Sequence, residues 1–228
     1  MSKNTSSEIR TLGYVLRRTN YGEADRILNI IAPVGKITAI AKGVRKTRSK
    51  LAGGIEMFSL VDFNIHVGRG EFGTVTGARM VRYYGEIMKD FGRLELAGMI
   101  LKKISRAAEG AEGAEYFELA DQSLSEINVG TNLELVEGWF LLNLMKVVGE
   151  EMNLYRDVDG EKLKAEERYN WDGGQMAFVV TVNGEFGVDE IKMLRLMATA
   201  KLSTVKRVKI EQETVKQILG LIRIASRV

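Results

Sequence analysis

The sequence predicts an α+β chain in which the strands come first and the helices follow. Three observations carry this. The first third alternates apolar and polar positions in short runs broken by glycine-bearing turns, while the remainder spaces its apolar residues three and four apart. The charge also changes sign: Met1–Met80 holds 13 Lys and Arg against 6 Asp and Glu, net +7, and Val81–Val228 holds 20 against 24, net −4. The overall +3 therefore conceals a basic N-terminal region on a mildly acidic remainder, which points to a polyanion partner for the first part.

A polar lead, Ser2–Ser7, precedes a strand pattern that starts at Glu8, uses Ile9, Thr11, Val15 and Leu16, and carries Arg17 and Arg18 toward its end. Ile27–Ile31 reads as a second strand. Ala32-Pro33-Val34-Gly35 is a tight turn, because proline presets φ at the second position and glycine is favoured at the fourth. Lys36–Ala41 then sets Lys36 and Thr38 outward against Ile37, Ala39 and Ala41. Ser59–Val67 places Val61, Phe63, Ile65 and Val67 on one face, and Gly68-Arg69-Gly70-Glu71 leads to a last strand, Phe72–Val81. Five short strands with glycine-bearing turns match a small antiparallel barrel, and the OB-fold is the commonest of these that binds oligonucleotides on one face. The expected domains are a barrel over 1–82 and a helical domain over 83–228.

In the helical part, Arg93–Ala108 uses Leu94, Ala97, Ile100, Leu101 and Ile104, and Ala114–Ile127 uses Phe117, Ala120, Leu124 and Ile127. AEGAEGAE between them reads as a small-residue linker. Thr131 and Glu134 form a capping-box pattern that opens a helix to about Glu150, apolar almost all round from Trp139 to Val148, as the centre of a bundle should be. Residues 153–187 are an insert in which Gly173-Gly174 and Asn183-Gly184 mark turns around a short hairpin. Two more helices follow, one capped by Asp189, the other using Val215, Ile218, Leu219, Ile222 and Ala225.

Much chemistry is excluded by residue type. There is no cysteine, hence no disulfide, thiolate metal site or Cys nucleophile. His66 is the only histidine, so neither a two-His metal site nor a Ser-His-Asp triad finds support. Gly68, Gly70 and Gly73 spell G-x-G-x-x-G, but that fingerprint needs a helix immediately after it, and Thr74–Val81 is β-branched and strand-like. Asp157-Val158-Asp159-Gly160-Glu161 begins like an EF-hand loop, with its glycine two positions early and Arg168 where the closing Glu belongs. No P-loop is present, and the acidic residues Glu150, Glu151 and Glu166 fall in no catalytic motif. The expectation is a protein without catalytic residues, metal or cofactor. The N-terminus lacks an apolar core, no stretch is long enough to span a membrane, and a soluble, cytoplasmic protein is expected.

What remains is the stretch KGVRKTRSK, which sets Lys42, Arg45, Lys46, Arg48 and Lys50 in nine residues with no acid among them. A cationic loop of this kind suits phosphate contact. Arg17, Arg18, Arg26 and Arg69 belong to the same expected barrel and complete the candidate DNA-binding set. Tyr14, Tyr21, Phe58 and Phe72 are either base-stacking platforms or core.

In order along the chain stand GYVLRRTN (Gly13–Asn20), the run Tyr21-Gly22-Glu23-Ala24-Asp25, then Gly35-Lys36, the basic loop, and LAGGIEMFSL (Leu51–Leu60). This series resembles the N-terminal domain of the bacterial recombination mediator family RecO. The resemblance implies an OB-fold on a helical domain and a non-enzymatic activity: binding single- and double-stranded DNA, annealing complementary strands, and working with RecR and single-strand binding protein to load recombinase. It places Lys42, Arg45, Lys46 and Arg48 on the family's DNA-contacting loop, and Tyr21, Gly22, Glu23 and Asp25 on a motif with a structural role. Many members carry two C-x-x-C pairs in a zinc-binding insert; here the insert over 153–187 has none, so it should fold without metal by burying Tyr169, Trp171, Phe178 and Phe186. The alternative is a protein adaptor that bridges repair partners through apolar surface of the helical domain, with DNA contact incidental.

Overall fold

The computed structural model describes residues 7–49, 51–68 and 72–226. It divides into two compact units, Met1–Asn128 and Val129–Val228.

In the first unit five strands, β1 (Ser7–Tyr21), β2 (Asp25–Ala32), β3 (Gly35–Ala41), β4 (Ser59–Val67) and β5 (Gly73–Tyr83), close a barrel in the order β1-β2-β3-β5-β4. This is the expected OB-fold topology, with one feature that alternation could not reveal: β3 and β5 pair in parallel, through Ala39 with Gly73 and Ile40 with Thr74. β1 is long because it serves two neighbours. Its first half pairs with β4 and its second with β2, and the β1–β2 register slips between Val15 and Arg17. Val15, Leu28, Ile30, Ala39, Val61, Phe63, Ile65 and Val75 point inward and form the barrel core.

Helices α1 (Phe91–Ala107) and α2 (Ala114–Val129) follow a 3-10 turn at Gly85–Lys89. Asp90 caps α1, its carboxylate accepting from the Arg93 amide at 2.8 Å. Leu96 is buried where Leu94 was expected to be, beside Ala97, Ile100, Leu101 and Ile104. On α2, Tyr116 and Leu119 are buried with Ala120, Leu124 and Ile127, and Phe117 is half-buried with its ring 5.6 Å from that of Tyr14. The expectation that Lys36 faces water needs correction. It points out of the barrel but is covered by α1, where its ammonium donates to the Ser105 carbonyl at 2.8 Å and pairs with Glu109.

Tyr14 is core, and it fastens β1 to α2. Its hydroxyl donates to Asp121 at 2.6 Å and lies 3.0 Å from that of Tyr84; burial, then the bond to Asp121, pushes the phenol far above its usual range. Phe58 is also buried, whereas Tyr21 is exposed and Phe72 half-buried.

The second unit is built on α3 (Leu133–Val147), which buries Val136, Trp139, Phe140, Leu141, Leu142 and Met145 against α4 (Val188–Thr199) and α6 (Gln212–Ala225). Its cap is Asn132 rather than Thr131: the Asn132 side chain accepts from the Leu135 amide at 3.0 Å, because the helix starts one residue later than the pattern suggests. Asp189 does not cap α4. Gly187 holds that position, and the Glu190 carboxylate reaches back to its amide at 2.8 Å. A four-residue helix, α5 (Leu202–Val205), separates α4 from α6, in addition to the two helices expected there.

Residues 153–187 hold the expected hairpin, β6 (Tyr169–Asp172) and β7 (Ala177–Val180), with Gly173 and Gly174 in its turn. Its aromatics converge. Phe178 packs edge-on against Tyr169, Trp171 and Phe186 with centroids 5.1–6.1 Å away. Tyr169, Phe178 and Phe186 are buried, and among the described residues no group of His, Asp and Glu is arranged to hold a metal ion.

Candidate nucleic-acid interface

The basic loop leaves the end of β3, and its position follows from the ladder registers. Asn20 pairs with Arg26, Arg26 with Ala41, and Ile40 with Thr74. One end of the barrel therefore gathers the β1–β2 turn, Arg26, the start of the loop at Lys42 and the first residues of β5.

The loop path is fixed. Gly43 adopts φ +62°, which a side chain would strain, and so lets the chain reverse between Lys42 and Val44. Val44 then drops into the barrel core. The Gly43 amide donates to Asp25 Oδ1 at 2.7 Å, the Arg45 amide to the Ala24 carbonyl at 2.9 Å, and the Arg45 guanidinium to the Gly22 carbonyl at 3.3 Å. Two further turns close from Lys46 to Gly43 at 3.1 Å and from Ser49 to Lys46 at 3.0 Å. At the far end, Leu51, Ala52 and Met57 lie on the core and Ile55 is buried in it. Gly54 is pressed onto strand β5: a Cβ there would stand 2.3 Å from the Ala78 carbonyl oxygen. Gly53 beside it has open space around its Cα, so the close backbone contact is made by Gly54 alone.

This framework turns the loop's cations outward. Lys42, Arg45, Lys46 and Arg48 are exposed, and among the described residues none has a carboxylate within ion-pairing distance. Asp25, the nearest acid along the chain on this end, is engaged by the Gly43 amide. Lys50 and Arg69 lie outside the described residues.

The other expected residues divide. Arg17 is exposed on β1 and has no ion pair among the described residues. Arg26 is half-buried and donates to Asn20 Oδ1 at 3.3 Å across the β1–β2 ladder. Arg18 is not free: its guanidinium pairs with Glu56 at 3.0 Å and reaches the Ile55 carbonyl at 3.5 Å. It braces the far end of the loop and carries little net charge.

Two arginines outside the expected set also lie on the barrel. Arg10 on β1 and Arg79 on β5 each bond Asp62 of β4 at 3.0 Å, so two guanidinium groups share one carboxylate and leave a local surplus of one positive charge. The bond from Arg10, then that from Arg79, holds the Asp62 carboxyl below its usual range. Their convergence depends on register, with Asp62 opposite both Leu12 and Arg79, and nothing local in the sequence signals it.

The phosphate-binding fingerprint at Gly68–Gly73 falls on the β4–β5 connection. Thr74 continues as strand, paired with His66 and Ile40, and no helix follows it.

Comparison with known proteins bears on the whole chain. Residues 6–84 match the family model described as Recombination protein O N terminal, and residues 88–225 that described as Recombination protein O C terminal. The chain is 29% identical over 227 residues to the DNA repair protein RecO of Dehalococcoides mccartyi, covering 95% of this chain and 88% of that protein. It is 36% identical over 153 residues to the protein of the same name from Alkaliphilus metalliredigens, with 64% and 60% covered, and 25% identical over 213 residues to that of Listeria innocua, with 89% and 82% covered. With a closed OB-fold barrel in its first unit, helices in its second, and family models matching residues 6–84 and 88–225, the chain belongs to the RecO family of DNA repair proteins.

Proposed function

We propose that this chain is a non-enzymatic, cytoplasmic DNA-binding protein of recombinational repair. It binds single- and double-stranded DNA through backbone phosphates, promotes annealing, and helps load recombinase together with RecR and single-strand binding protein. The observation that carries the DNA contact is the basic loop: four outward cations without carboxylate partners among the described residues, on a backbone held by Asp25, Ala24 and the buried Val44. Phosphate contact wants charge at a fixed place and little else, and it carries no sequence information. No recognition helix accompanies the loop, so binding is expected to be nearly independent of sequence.

The proposed contact set is Lys42, Arg45, Lys46, Arg48 and Lys50 of the loop together with Arg17, Arg26 and Arg69. Arg18 belongs to it only through the loop it braces. A fluorescence titration with labelled single-stranded and double-stranded oligonucleotides, and an unlabelled competitor as control, tests the reading. Saturable binding to both forms that weakens steeply with salt is the expected result. Absence of binding at low salt would leave the adaptor role, in which exposed apolar side chains meet repair proteins and DNA is incidental.

A further inference from the structure

The net negative charge of residues 81–228 hides a second run of cations. Residues 191–210 contain Lys192, Arg195, Lys201, Lys206, Arg207 and Lys209 and no acid. Arg195 is engaged within its own unit: its Nε donates to the Leu154 carbonyl at 2.8 Å and its guanidinium lies 4.9 Å from the Tyr155 ring centroid. The other five are exposed.

The segment that bears them is rigid for the same reason as the barrel loop. Leu202 and Val205, both fully buried, hold α5 against its unit. Backbone bonds from Lys206 to Leu202, Arg207 to Thr204 and Val208 to Val205, all at 3.0–3.1 Å, fix the turn that follows. Between the cations the exposed side chains are Thr199, Ser203, Thr204 and Val208. Among the described residues Lys201, Arg207 and Lys209 have no carboxylate within ion-pairing distance. Lys192 and Lys209 also border a cleft of about 550 Å³ that Asp189, Glu190 and Glu211 help to line, so charge on that side is mixed.

We propose that this segment, centred on Lys201, Arg207 and Lys209, is a second nucleic-acid surface that contacts DNA backbone phosphates independently of the barrel loop. The ligand class rests on the DNA-binding reading above; the site does not. Nucleic acid is favoured over an acidic protein by what surrounds the charges. A protein interface has an apolar, desolvated centre, whereas here hydroxyls alternate with cations and the lone exposed apolar side chain is Val208. A chain with two such surfaces has a place for each of two strands, which annealing requires.

The test uses the full-length protein and a fluorescent oligothymidylate, measured over a range of salt in two backgrounds. In protein already carrying R45A, K46A and R48A, residual binding should persist, and adding K201A, R207A and K209A should flatten its log–log salt slope by about 2 units, since each single-strand phosphate contact contributes about 0.7. The glutamine version K201Q/R207Q/K209Q keeps the aliphatic length and should behave alike, while K201R/K209R should keep the slope; unchanged thermal melts establish that the fold is intact. The second surface is overturned if the loop variant has no residual binding, or if its slope and affinity ignore the added substitutions. Loss of polyglutamate binding with an unchanged DNA titration would also overturn it, by assigning the segment to an acidic protein. If the loop substitutions have no effect and the 201–209 substitutions do, the barrel loop is rejected and this surface stands. Wild-type protein that binds no DNA rejects both.

Discussion

Residues 42–58 of the first unit and 153–187 of the second are both long connections, and they use their side chains differently. In the insert, polar side chains serve its own backbone. Asp157 accepts from the Asp159 and Glu161 amides at 3.0 and 2.9 Å, Asp172 from Gly174 and Gln175 at 2.8 and 3.1 Å, and Arg168 donates to the Gly184 and Glu185 carbonyls at 2.6 and 2.7 Å. Its aromatics close on Phe178. In the barrel loop the backbone is satisfied by a neighbouring turn and one carboxylate, and Lys42, Lys46 and Arg48 have no bonded partner among the described residues. A charged side chain without an internal partner, on a backbone that cannot move far, is the physical mark of a surface built for a ligand. A charged side chain that closes its own loop is the mark of a surface built for itself.

The comparison makes its largest prediction in the insert. Phe178→Ala removes a fully buried ring and should cost about 4 kcal/mol, read as a lowered denaturation midpoint. DNA affinity per folded molecule should stay as it was; a fall in affinity at full folding would mean that the insert takes part in binding.

A smaller effect is expected where the loop is tied. Asp25→Asn and Asp25→Ala both remove the charge, but only the first keeps an oxygen to accept from the Gly43 amide. The alanine variant should be less stable than the asparagine one by about 1 kcal/mol, and should bind DNA about five-fold more weakly because the loop is no longer preorganised. Equal affinity in the two would show that the tether has no part in binding.

The smallest expected effect is none. With no cysteine and an aromatic centre, the insert should melt at the same temperature with and without a chelator, and elemental analysis should find no stoichiometric zinc. A chelator-dependent melt would break the contrast between the two connections.

Much of the barrel was legible because alternation reports directly on a half-buried strand: Val61, Phe63 and Ile65 are core as their spacing requires, and the Pro33-Val34 turn joins β2 to β3. Helix positions were legible to within a turn, but caps were not. Thr131 and Asn132 are both good capping residues, and which one starts the helix depends on packing farther along it. The loop's charge was plain in the sequence; its fixity was not, since nothing local marks Asp25 as the acceptor for the Gly43 amide or Gly54 as the residue pressed onto Ala78. Long-range pairing also hid the engagement of Arg18 by Glu56 and the sharing of Asp62 by Arg10 and Arg79.

The central claim is that the loop's cations meet phosphates and that their internal contacts, such as that of Arg45 with the Gly22 carbonyl, are minor, and the salt dependence of DNA binding by R45A/K46A/R48A tests it most directly. Single-strand affinity should flatten against salt by about 2 units of log–log slope relative to wild type, at about 0.7 for each phosphate left without its cation, while stability changes by less than about 0.5 kcal/mol because exposed side chains contribute little to it. A variant that folds normally and keeps the wild-type slope and affinity would contradict the account.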